Sequence, residues 1–115
     1  MEELLELAEK LGFAIAAHER FQALRDAEKK VRENETALRA QTALEKQMNH
    51  ISELERSGKP VEVADKRELE RLQNEFRSQG ALQQLVKAQA DYLEMMNKVN
   101  ETIVKCLLPT EEEPG

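Results

Sequence analysis

Apolar side chains recur every three or four residues along almost the whole chain, and one cluster of helix breakers interrupts them. Leu4, Leu7, Ala8, Leu11 and Ile15 form a first stripe at helical spacing. His18-Glu19-Arg20-Phe21 is a candidate joint, beyond which Phe21, Leu24, Ala27 and Val31 form a second. Asn34 offers a helix start, since its side chain can accept a bond from an orphan amide of the first turn. A third stripe then runs to about Ser57 through Ala37, Leu38, Leu44, Met48, Ile51 and Leu54. The pattern predicts bends at residues 18 and 34, and leaves open whether one bent helix or three separate helices carry these stripes.

Ser57-Gly58-Lys59-Pro60 is the cluster that breaks the pattern. Glycine takes the left-handed conformation that closes a helix without a Cβ clash, and proline cannot simply continue one. Val61-Glu62-Val63 reads as a loop, because a lone strand has nothing to pair with. Asp65 is the expected cap of a fourth helix, with Glu68 three residues on and Leu69, Leu72 and Phe76 on its apolar side. Ser78-Gln79-Gly80 marks another joint.

The fifth helix, from about Ala81 to Leu107, has the most regular pattern. Leu82, Leu85, Gln89, Tyr92, Met96, Val99 and Ile103 alternate spacings of three and four, which is close to a coiled-coil seam. Val86, Leu93 and Leu107 widen the stripe towards that of a bundle. A helix of this length extends roughly 40 Å at 1.5 Å per residue, more than short helices of a small domain can cover. The seam is therefore the expected association interface with a second chain. The predicted fold is all-α, about five helices with a long C-terminal helix, in a bundle completed by dimerisation. Residues 1–108 form the expected single domain, and residues 109–115 an acidic, disordered tail.

Composition supports the helical reading: charged residues make up 35% and aromatic residues 3% of 115 residues. The formal net charge of −6 argues against direct nucleic-acid binding, which needs Lys and Arg to neutralise phosphates. Arg25, Lys29, Lys30 and Arg32 fall close together, but Asp26, Glu28 and Glu33 interleave with them. They read as a solvated face of mixed ion pairs. The longest apolar run, Phe13 to Ala17, is too short to cross a bilayer. An acidic N-terminus and a single cysteine, Cys106, fit a cytoplasmic protein without internal disulfides.

No constellation for catalysis stands out. His18 and His50 lack converging partners, and the Glu-x-x-His spacing of a bundle di-metal site is absent. Cys106 reads as a small buried apolar residue near the seam. As a cluster ligand it would need partners from other subunits, because four ligands are normally required. The expectation is thus no catalytic residue, no cofactor and no metal.

Several motifs in order resemble those of the YlbF/YmcA family of small bacterial helical proteins, which includes YheA. They are Leu7-Ala8-Glu9-Lys10-Leu11-Gly12 with Ile15, Glu19-Arg20-Phe21, the Gly58-Lys59-Pro60 turn, Ala88-Gln89 with Leu93, and Val99-Asn100 with Ile103. The resemblance implies an all-α, cytoplasmic protein that forms homodimers or hetero-oligomers with related helical proteins. It also implies a regulatory role, in competence, sporulation and biofilm control. Some members of that family act in a complex that influences messenger-RNA maturation through a membrane-associated ribonuclease. Two departures stand out. Ser78-Gln79-Gly80 replaces an Asn-Pro pair common before the last helix. The extra C-terminal cysteines that some members use for an iron–sulfur cluster are missing. Two functional readings follow: a non-enzymatic regulatory adaptor acting through helix faces, and a chaperone-like helical hairpin that binds extended clients.

Overall fold

The computed structural model describes residues 1–109, and five helices account for nearly all of them. They are α1 (Glu2–Ala17), α2 (Glu19–Arg32), α3 (Glu35–Arg56), α4 (Val63–Ser78) and α5 (Gly80–Leu107). The expected acidic tail beyond Pro109 lies outside the described residues.

The first three stripes belong to three separate helices, and the breaks have local causes. His18 leaves the helical region at φ −74° and ψ 146°. It closes α1 by donating its amide to the Ile15 carbonyl, and it opens α2 by accepting the Arg20 amide at Nδ1, 3.0 Å away. One residue thus caps two helices, which supplies partners for backbone groups that each helix end leaves orphaned. Gln22 adds to the joint by donating from Nε2 to the Ala16 carbonyl at 2.7 Å. At the next break Asn34 caps α3, accepting the Ala37 amide at 3.1 Å.

Gly58 has φ 74° and ends α3 in a complete Schellman arrangement. The Lys59 amide donates to the Leu54 carbonyl at 2.9 Å, and the Gly58 amide to that of Glu55 at 3.2 Å. Helix α4 begins three residues earlier than a cap at Asp65 implies. Glu62 holds the cap position, and Asp65, now inside the first turn, accepts the Glu62 amide at 3.0 Å. The Glu62–Asp65 pair thus plays the part expected of Asp65 and Glu68, one turn upstream. Gln79, extended at φ −92° and ψ 112°, separates α4 from α5.

The chain divides into two compact units. One comprises residues 25–87, where α3 and α4 pack as a hairpin. Its interior is built from Ala27 and Val31 of α2, Ala37 and Ala40 of α3, Leu72 of α4, and Leu82 and Leu85 of α5. Along α3 the inward positions are Ala37, Ala40, Leu44, Gln47, Ile51 and Leu54, an unbroken alternation of three and four. Leu38 and Met48, expected on that side, are exposed at 39% and 52%. Gln47 occupies the seam in their place because its amide finds a partner: Nε2 donates to the Asp65 carbonyl at 3.0 Å.

The other unit comprises residues 1–24 with those from 88 onward. Here α1 has no buried residue along its 16 positions. Among the described residues of this unit, the buried apolar side chain is that of Ala88.

Candidate association surface

Residues 1–24 and 88–109 contain most of the large exposed apolar side chains. Leu4 and Leu7 of α1 are exposed at 64% and 62%, and Leu5, Leu11 and Phe13 also face outwards. On α5, Leu93, Ile103, Val104 and Leu107 are exposed, as is Leu108 beyond its end. A row of exposed apolar side chains along one helix face, as at Leu4, Leu7 and Leu11, marks an interaction site more often than a scattered leucine does.

Within this unit the first turn of α2 is tied to α5. The Arg20 guanidinium donates to the Asp91 carbonyl at 3.0 Å and reaches Glu94 Oε1 at 3.5 Å. The next residue, Phe21, meets Tyr92 with ring centroids 5.9 Å apart and planes at 55°, a tilted aromatic contact. Lys98 approaches the same Glu94 oxygen at 3.3 Å, so one carboxylate serves two cations. Hydrogen bonding from Lys98, supported by the charges of Lys98 and Arg20, lowers the pKa of Glu94 below the ordinary carboxylate range.

Beside these contacts lies an open groove of about 660 Å³, lined by Leu11 of α1, the His18–Arg20 joint, and Met95, Lys98, Val99, Thr102 and Ile103 of α5. Its floor is apolar, and its charged groups are Glu19, Arg20 and Lys98.

The seven seam residues expected to form the interface separate into two groups. Leu82 and Leu85 are 0% and 4% exposed, taken up by the interior of residues 25–87. Gln89 and Ile103 are exposed, while Tyr92, Met96 and Val99 are half-buried. Val99 and Ile103 line the groove, and Tyr92 is turned to Phe21. Leu4, Leu7 and Leu11 were visible as a stripe in the sequence, but periodicity does not say whether the chain itself covers it. The Arg20–Glu94 tie was not visible, because 74 residues separate the pair.

The remaining candidate residues have structural settings. His18 is the helix joint. His50 Nε2 lies 3.1 Å from Asp65 Oδ1, joining α3 to α4. Cys106 is exposed rather than buried, because no described residue of its unit covers the last turns of α5. Among the described residues no group of three or more His, Cys, Asp or Glu side chains is placed to hold a metal ion. No helix among them is long and apolar enough to cross a membrane.

The sequence profile of a family described as "Control of competence regulator ComK, YlbF/YmcA" matches residues 4–107. Neither a curated protein nor a solved structure matches the chain.

Proposed function

The chain belongs to the YlbF/YmcA family, and from that premise we propose that it is a non-enzymatic regulatory adaptor. It works through helix-face contacts, as a homodimer or with related helical proteins. The observation that carries this reading is α1, 16 residues long with an apolar stripe and no buried residue. A helix this short is marginal alone in water and gains its stability from packing. Burying a leucine contributes roughly 1.5–3 kcal/mol, so Leu4, Leu7 and Leu11 together offer a partner a substantial driving force.

The surface put to use is α1 with the outer part of the seam, Gln89, Tyr92, Met96, Val99 and Ile103. Leu82 and Leu85 are left out of it, since their own chain already covers them. In its finer form, the reading places the chain in a ribonuclease-associated complex affecting RNA processing, a role suggested by the resemblance of its motifs. The chaperone-like alternative draws on the same exposed leucines. Affinity purification from the native cell separates the two. A defined set of related helical proteins with a ribonuclease supports the adaptor, and a broad set of unfolded proteins supports the chaperone.

A further inference from the structure

We propose that His18 is a proton-operated joint: its neutral imidazole holds the start of α2 at the end of α1, and a proton on the ring releases it. The proposal concerns the joint alone and stands whatever partner the exposed helices meet.

The direction of one hydrogen bond carries it. The Arg20 amide donates to His18 Nδ1 at 3.0 Å. A backbone N–H can only give its proton, so Nδ1 offers a lone pair and the proton of the neutral ring sits on Nε2. Both nitrogens of an imidazolium are donors. Protonation therefore abolishes this bond and sets two N–H groups against each other. His18 stands where a side-chain oxygen usually caps a helix, and its own carbonyl accepts the Gln22 amide at 3.1 Å. Asn34 does the same work at the start of α3 with an amide oxygen that does not titrate.

The place of the ring between two helix ends adds to this. Helix α1 ends at Ala17 and α2 begins at Glu19. The start of α2 presents orphan amides and disfavours a cation, whereas the end of α1 presents orphan carbonyls and favours one. No basic residue occupies the last turn of α1. A proton thus moves the preference of the ring from α2 to α1.

The surroundings leave that proton free to come and go. His18 is exposed and lines the open groove. Residues 11–17 of α1 contain no titratable side chain. From α2 the neighbours are Glu19 and Arg20, and from α5 Lys98 lines the same groove, while Glu94 is held by Arg20 and Lys98. Among the described residues no carboxylate forms an ion pair with His18, in contrast to His50, whose Nε2 has Asp65 Oδ1 at 3.1 Å. The bond from Gln22 Nε2 to the Ala16 carbonyl does not titrate and keeps the two helices tethered. The proton loosens the joint without parting it. The loosened turn is the one whose Arg20 and Phe21 reach Asp91 and Tyr92 of α5.

NMR of the full chain from about pH 7.5 to about pH 5.5, within the range where an imidazole takes up its proton, tests the proposal. At the upper end the His18 ring should show the Nε2–H tautomer. As His18 titrates, exchange of the Arg20 and Gln22 amides, corrected for its intrinsic pH dependence, should quicken at least about threefold, as expected of a lost cap. Tyr92 is the sole tyrosine of a chain without tryptophan. The tyrosine band of the near-UV circular dichroism should therefore change with the same midpoint. His18→Asn keeps a capping oxygen but removes the titration, and should abolish both responses while the Arg20 amide stays protected. His50→Gln should leave both in place. An Nδ1–H tautomer at the upper pH would overturn the proposal. So would an Arg20 amide indifferent to the titration of His18, a pH response that persists in His18→Asn, or one that vanishes in His50→Gln.

Discussion

Asn34 holds the start of α3 through the bond from the Ala37 amide to its Oδ1. Asn34→Ala should therefore cost about 1 kcal/mol in chemical denaturation. Charge acts more weakly but with a definite sign. The hydrogen bond from Arg71 lowers the pKa of Glu68, and that from Lys98 lowers the pKa of Glu94. A carboxylate whose folded pKa lies below its unfolded one stabilises the fold above the unfolded value. That contribution is lost as pH falls through the folded value. Both groups are solvent-exposed, so the effect is small. Thermal melts between pH 6 and 3 should show a shallower acid-side decline in the double variant Glu68→Gln, Glu94→Gln than in the wild type. Asn34 could be found from sequence because capping is local. The interior place of Gln47 could not, since a polar residue reads as surface until its partner, the Asp65 carbonyl, is known. The α4 cap was misplaced for a related reason: Glu62-to-Asp65 and Asp65-to-Glu68 are both acidic pairs three residues apart, and only the backbone distinguishes them.

At the scale of elements, the α3–α4 hairpin combines a strong stop with a polar lock. Gly58 and the two bonds of its Schellman arrangement end α3. Eighteen residues separate Gln47 from Asp65, and their bond crosses from one helix to the other. Sliding α4 by a turn would leave the Gln47 amide part-buried without that partner, which is costly away from water. Gln47→Leu removes the penalty for sliding and adds apolar surface to the seam. The variant should melt at an equal or higher temperature, while its amide resonances for α3 and α4 broaden or double as alternative registers become populated. Helix existence and order were readable from periodicity. The choice of face was less so: Leu38 and Met48 fit a generous stripe, but the tighter 37-40-44-47-51-54 row puts small alanines and one glutamine where the hairpin is close.

Across the whole molecule, the two compact units use their apolar residues differently. Residues 25–87 enclose the larger part of theirs, whereas α1 and the end of α5 leave theirs open. The same substitution should thus have opposite readouts. Leu85→Glu introduces a charge at a site 4% exposed, and should destabilise the fold by more than 3 kcal/mol in urea. Leu7→Glu should change the stability of an isolated chain by less than about 0.5 kcal/mol, as expected of a surface position, and act on mass in solution instead. The seam of α5 looks uniform in sequence from Leu82 to Ile103. Its division comes from which helices happen to lie over it, and that is decided by pairings between residues far apart in the chain.

The bare α1 has a further consequence for how long a copy survives. A 16-residue amphipathic helix without cover opens readily, and an open helix is a protease substrate. If pairing is what covers it, the lifetime of each molecule becomes a function of how many others are present. Cleavage within residues 2–17 by a dilute protease should then slow as protein concentration rises, while cleavage within residues 35–78 should not change. Unpaired copies would be cleared first, so the amount of the chain would follow the supply of its partner without any separate control.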